Sequence, residues 1–472
     1  MKNARIVAVV PKAFVALAAW SLAAWSLAAP AAAGAQTAGE PGAIAFVGVH
    51  VVPMDREALL ENHTVIVAGG RIQTIGPAGR VSVPDGALRI DARGKYLMPG
   101  LAEMHAHIPP TDVTDEQVEP LFLLYLSNGI TTVRGMLGHP SHLAVRDRVA
   151  RGELLGPRIY TSGPSLNGNS IPSPDSARAA VRHQKALGYD FLKIHPGLTR
   201  ASYDAMADEA RRMGIPFAGH VPADVGLHRA LEARQATIDH LDGYVEALVP
   251  AGAATGPSQF FGFNRIAHAD LARIPDLARA TREAGIWNVP TMSLFIDFVS
   301  AESPEALAAR PQNRYMPRAQ VENWMNAVRN ARSNEAFSAE AARRFLETRS
   351  AILRELHRAG ARLLLGSDAP QVFNVPGFSI HQELEALIDA GLTPYEALVT
   401  GTRNVALYFG ADGEFGTVGE GKAADLILLD ANPLADIRNV QRRAGVVVRG
   451  RWLPEEELQR RLDALAAARL QD

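Results

Sequence analysis

Cysteine is absent from all 472 residues. Its absence excludes disulfides, thiolate metal sites and cysteine nucleophiles together, so any metal must sit on nitrogen and oxygen donors. A charge of one sign is missing too. The 48 Lys and Arg against 50 Asp and Glu leave a formal charge of −2, which offers no basic surface for nucleic acid. Beyond the first 35 residues no apolar run is long enough to span a bilayer. No Gly-x-Gly-x-x-Gly follows an early strand, which weighs against a doubly wound dinucleotide-binding sheet. What is present, 47% hydrophobic and 21% charged residues, fits a folded chain. The length suits two to four domains of roughly 150 residues, or one large barrel with an appendage.

Residues 1–35 differ in composition from the rest. Lys2, Arg5 and Lys12 give a positive start, Ala13 to Ala29 is apolar, and Ala33-Gly34-Ala35 offers a small-residue cleavage site. This reads as a secretory signal peptide, with an uncleaved anchor as the alternative. Its loss leaves a mildly acidic chain, exported to the periplasm or the extracellular space, without stable membrane association.

From 43 to 97 the chain reads as short strands, among them Thr64-Val65-Ile66-Val67 and Arg71-Ile72-Gln73-Thr74-Ile75 around a Gly69-Gly70 turn. Strands of the same kind recur within 410–455. The two ends are therefore expected to pair as one small β-domain, followed by a C-terminal helix over 456–472. Between them, residues 98–409 alternate short apolar runs with amphipathic segments, the pattern of a parallel α/β barrel. The stretch 303–351, rich in Glu, Arg, Asn and Ala with Tyr315, Met316, Trp324 and Met325, reads as a helical insertion over the barrel mouth: a solvated excursion, or a lid whose aromatics touch substrate.

A polar, metal-competent residue ends several of the apolar runs, and in such a barrel those ends converge on one mouth. His105 and His107 stand two apart, so a strand points both to one face. His220 and His240 end runs 20 residues apart, about one strand–helix repeat. Asp368 follows Leu365-Gly366-Ser367; a carboxylate there is costly to bury without a metal or water, although capping the next helix is a plainer alternative. Lys193 lies inside Phe191-Leu192-Lys193-Ile194, where a lysine is rare unless paired. It either makes a salt bridge across the interior or is carboxylated by carbon dioxide, because burial favours the neutral amine that carbamate formation needs. His195 is expected to point the other way. Tyr244, His381 and Arg134 are weaker candidates for the mouth, each with a packing, capping or ion-pair alternative. His139 and His142 lie in a loop near it without an assigned role.

Together these residues resemble the amidohydrolase superfamily, its exported, prolidase-like branch with a binuclear metal centre. Gly69-Gly70-Arg71-Ile72 and Asp91 to Leu101 look like that family's entry sequence; Gly401-Thr402-Arg403-Asn404-Val405-Ala406 and Gly416 to Leu426 look like its exit. The resemblance implies a distorted (β/α)8 TIM barrel with a small β-sandwich formed by the N- and C-terminal segments. It implies two divalent ions, zinc by default. His105, His107 and Asp368 would hold one, His220 and His240 the second, and a carboxylated Lys193 with a bridging hydroxide would join them. Asp368 would move the proton from the hydroxide to the leaving nitrogen. Tyr244 would hold a substrate carboxylate, with His381 and Arg134 lining the mouth.

The expected activity is hydrolysis of an amide or peptide C–N bond in a small molecule, a dipeptide such as Xaa-Pro or an N-acyl amino acid. Alternatives within the superfamily are lactone, ester or phosphoester hydrolysis, cyclic-amide hydrolysis and deamination. An alternative of another class is a non-catalytic exported metal- or ligand-binding protein. Assembly as a homo-oligomer is left open.

Overall fold

In the computed structural model, residues 42–109, 114–253, 256–333 and 335–471 are described; the expected signal peptide lies outside them. Residues 41–472 form one compact unit. Five strands open the chain: β1 (Ile44–Val51), β2 (Leu60–Ala68), β3 (Arg71–Pro77), β4 (Leu88–Asp91) and β5 (Tyr96–Pro99). Eight short strands follow, separated by helices: β6 (Leu101–Ala106), β7 (Ile130–Gly135), β8 (Arg158–Thr161), β9 (Leu192–Ile194), β10 (Phe217–Gly219), β11 (Thr237–Asp239), β12 (Trp287–Val289) and β13 (Arg362–Leu363). Three more close it: β14 (Leu426–Leu429), β15 (Arg443–Val448) and β16 (Arg451–Pro454).

β6 to β8 form one parallel arc and β9 to β13 another, each in chain order. The arcs meet at both ends. A parallel bridge joins Ser162 to Phe191, and Asp190 N donates to Thr161 O at 3.0 Å. On the other side Met104 N donates to Leu365 O at 2.9 Å, and Ala106 bridges Ala369. The eight strands thus run in a ring with their C-terminal ends at one mouth. The crossover helices carry ordinary stop and start signals: Ser173 caps Pro174–Leu187, which ends on left-handed Gly188, and Thr199 caps Arg200–Met213, which ends on left-handed Gly214.

β1–β5 and β14–β16 make a single eight-stranded sheet, in the order β16-β15-β14-β5-β1-β2-β3 with β4 beside β1. The two ends of the chain meet where β14 runs antiparallel to β5, Leu428 opposite Leu97. Phe46, Val65, Leu97, Leu426, Leu428 and Val447 collect into a separate apolar core there. Only Gly100 lies between β5 and β6. A Cβ at that position would collide with the Thr131 side chain of β7, so the passage from sheet to barrel needs a residue without one.

The insertion is narrower than 303–351. Helix Ala339–Arg358 runs directly to β13 and is the barrel's own crossover between β12 and β13; the added pieces are Pro304–Ala308, the turn Pro311–Tyr315 and Arg318–Arg332. Tyr315 and Trp324 are buried. They pack on Phe378 (5.4 Å) and Phe373 (5.7 Å), so these aromatics anchor the insertion to the loop after Asp368. The last helix spans Glu455–Arg469. Among the described residues no helix is long and apolar enough to cross a membrane.

Candidate functional site

The strand ends bring His105, His107, Lys193, His220, His240 and Asp368 together. Asp368 Oδ1 lies 2.7 Å from His107 Nε2 and 3.6 Å from His105 Nε2, and its Oδ2 lies 3.8 Å from His240 Nδ1. Lys193 Nζ is 3.4 Å from His105 Nε2. The rings of His105 and His240 are 4.4 Å apart, and those of His240 and His220 4.7 Å. His105, His240 and Asp368, all buried, offer donor atoms within 4.8 Å of one another. Asp368 does not cap a helix: the next one begins at Ser379.

Room for Lys193 comes from β10. Gly219 has φ +120°, and a Cβ there would sit 2.9 Å from Lys193 Cδ and 2.7 Å from Ile194 O. Burial lowers the Lys193 amine to about 8. Burial, with neighbouring Lys193, lowers His220 to about 3; His105 and His240 are lowered as well, chiefly by burial. The imidazoles are therefore neutral at neutral pH, the form that ligates a metal.

Further residues hold these groups. His105 Nδ1 lies 2.8 Å from Asp239 Oδ2. His220 Nδ1 is 3.1 Å from Asp242 Oδ2, which also accepts from Val221 N. His240 Nδ1 is 2.9 Å from Thr291 Oγ1. A carboxylate or hydroxyl stands behind the rings of His105, His220 and His240, the usual support of a metal-ligating histidine. Asp239 and Glu103, both in contact with His105, lie outside the residues that the sequence pattern singles out, although alternation along a strand signals both. Asp239 shares the inward face of β11 with Thr237. Glu103 lies two residues before His105, accepts from His105 N (2.9 Å) and Ser367 N (2.8 Å), and is pushed up to about 8 by burial. Arg349, on the helix Ala339–Arg358, is also fully buried. It donates to His240 O (2.7 Å) and Pro290 O (3.2 Å) with its guanidinium 3.5 Å over the Phe295 ring.

Three expected substrate contacts fall elsewhere. Arg134 is fully buried in the barrel, spans both oxygens of Asp239 at 3.2 and 3.1 Å and donates to Met104 O, so its charge is consumed inside. The Tyr244 hydroxyl is buried against Thr281 (2.7 Å) and Asn288 (3.0 Å). His381 is buried against Asn128 Oδ1 (3.1 Å). His142 bonds Pro109 O at 2.9 Å. His195, expected to point away, has its ring 5.1 Å from that of His220.

A cleft of ≈ 720 Å³ opens beside His220, walled by Pro222, Asp242, Glu246, Phe261 and Arg265 among others. A ring of parallel strands, with imidazoles, a lysine and a carboxylate gathered at one mouth and a cleft beside them, defines a barrel protein whose mouth carries nitrogen and oxygen donors of the kind that hold a metal ion.

The amidohydrolase family profile matches residues 96–453, and the chain belongs to that family. It is 23% identical over 406 residues to adenine deaminase 2 of Bradyrhizobium sp. (strain ORS 278), covering 82% of this chain and 54% of that protein; the chain spans about half the length of that relative. Among solved structures, one named as a prolidase from Bifidobacterium longum aligns at TM-score 0.65 and 25% identity, over 91% of this chain and 100% of that one. Bottromycin amidohydrolase aligns at TM-score 0.67 and 22% identity, over 91% of each chain.

Proposed function

We propose that this chain is a metal-dependent hydrolase of an amide or peptide C–N bond, acting on dipeptides of the Xaa-Pro kind or on N-acyl amino acids. The observation that carries the reading is the meeting of six donors at one barrel mouth, with Lys193 buried beside His105. The donor set fits two divalent ions: neutral imidazoles, a carboxylate, and an amine whose burial favours the uncharged form that takes up carbon dioxide. His105, His107 and Asp368 would hold one ion, His220 and His240 the other, with carboxylated Lys193 between. When bound, the ions would acidify water and polarise the scissile carbonyl.

The chain's own residues supply the rest. Asp239, Asp242 and Thr291 keep the imidazoles oriented. Asp368, within reach of His107, takes a proton from the attacking water and returns it to the leaving nitrogen. The cleft beside His220 admits the substrate. Lys193 favours this two-ion hydrolysis over one-ion ring hydrolysis or deamination, which needs no bridging carbamate. Export to the periplasm or beyond is part of the same reading and rests on residues 1–35.

The test is to load the purified protein with zinc and screen it against dipeptides and N-acyl amino acids, before and after a chelator. Hydrolysis lost on chelation and restored by zinc is expected. Activity in the metal-free protein, or deamination of adenine in place of hydrolysis, would overturn the reading.

A further inference from the structure

Phe260, Phe261 and Gly262 are three successive residues in the left-handed region, with φ 46°, 55° and 80°. For two bulky side chains this conformation is strained, and such strain persists where surrounding packing imposes it, commonly at functional sites. It sends the two rings to different places. The Phe261 ring lies 5.9 Å from that of His220 and 5.5 Å from that of His240, against the reaction centre. The Phe260 ring lies 4.4 Å from Phe298 and 6.1 Å from Phe263, away from it.

Phe260 lines the cleft that holds His220, and it also lines a second recess of ≈ 360 Å³. That recess is bounded by Phe263, Phe298, Phe337, Ala327 and Ala331 with the amide side chains of Asn264 and Asn330 among them, and no charged side chain among the described residues lines it. Its size falls within the about 300–1,000 Å³ of small-molecule pockets. Part of its wall, including Ala331, comes from the inserted helix Arg318–Arg332. Phe260, Phe298 and Phe337 are only half-buried, so apolar surface faces the recess and gains by being covered. Phe260 is common to the walls of both cavities, so a molecule held in the cleft lies next to the recess.

We propose that this recess is a specificity subsite for an apolar, ring-sized or branched substituent of the amide substrate, and that Phe260 is the specificity-determining residue between it and the reaction centre. This rests on the hydrolase reading above. It assigns the insertion a role in selecting substrate through small residues that leave space, rather than through its buried Tyr315 and Trp324.

The experiment fills the recess. Ala331→Trp is compared with wild type for kcat/KM on matched N-acetyl and N-phenylacetyl amino acids. The expected result is a fall of about 10- to 100-fold in the ratio favouring the phenylacetyl substrate, the range one apolar contact supplies. An unchanged ratio would overturn the proposal. Should Ala331→Trp melt abnormally, Ala327→Leu narrows the same recess and carries the same expectation. A binding measurement separates this idea from the hydrolase reading: titration with anilinonaphthalene sulfonate, displaced by phenylacetate. If no amide is hydrolysed but displaceable dye binding is lost on filling the recess, the subsite stands and the hydrolase reading falls. Dye binding unaltered by the substitution would sink the subsite itself.

Discussion

Asp368 combines three properties at one residue. It stands in the loop that follows β13, it holds φ 64°, and its Oδ1 is 2.7 Å from His107. His240 and Thr291, at neighbouring strand ends, are left-handed as well, with φ 64° and 47°. The backbone is thus strained just where side chains must be aimed inward. Asp368→Asn keeps the shape and a ligating oxygen but cannot shuttle a proton. Turnover is expected to fall by about 10²–10⁴-fold while zinc content, read by elemental analysis, is retained; a fully active variant would remove Asp368 from the proposed role. At this scale the donors themselves were legible, because each ends an apolar run. The support behind them was less so. Asp239 was hidden beside His240 in the run Thr237-Ile238-Asp239-His240, where the histidine drew the functional reading. Arg134 and Tyr244 read as mouth residues because a one-dimensional pattern shows that a polar group follows a strand, not which buried partner consumes it. For Arg134 that partner is Asp239, 105 positions along the chain.

The helix Ser379–Asp389 shows how an element can carry a pH dependence of its own. Its Glu383 is fully buried, accepts from Ser293 N at 2.8 Å, and is pushed by burial from 4.5 up to about 7. Below pH 4.5 the group is protonated whether the chain is folded or not. Between 4.5 and 7 the unfolded chain releases the proton while the folded chain keeps it, so this residue lowers stability as pH rises through that window and no further above it. Glu383→Gln, which keeps an acceptor for Ser293, should flatten the fall in melting temperature across the same window. Melts of both proteins at stepped pH check this; parallel curves would show that Glu383 titrates normally. The alternation of strand and helix was readable from period and turn residues. The division of the 303–351 stretch was not: the inserted helix and the barrel's own helix are both amphipathic and rich in Arg and Ala, and only the strand that follows Ala339–Arg358 separates them.

Across the whole molecule, the sheet fastens the two ends of the chain to each other and to the barrel. β14 covers one edge of β5, so residues 426–454 shield Leu97 and Met98 from solvent. A chain cut after Ala424 would uncover that edge and the apolar core behind it, an invitation to pairing between molecules. It is expected to lose cooperative unfolding and to aggregate on size-exclusion chromatography, despite retaining all eight barrel strands. A soluble, cooperatively melting truncation would show the barrel to be self-sufficient.

The single residue between β5 and β6 has a consequence for biosynthesis. β5 is locked by β14, and β6 carries His105, so the first donor of the site stands on a strand whose anchor is translated after every other donor of the site. All eight barrel strands must be made before the strand preceding the one that bears His105 is paired with β14. A nascent chain therefore carries an unsupported donor set until β14 emerges, and the proposed metal capture belongs to the chain with β14 in place.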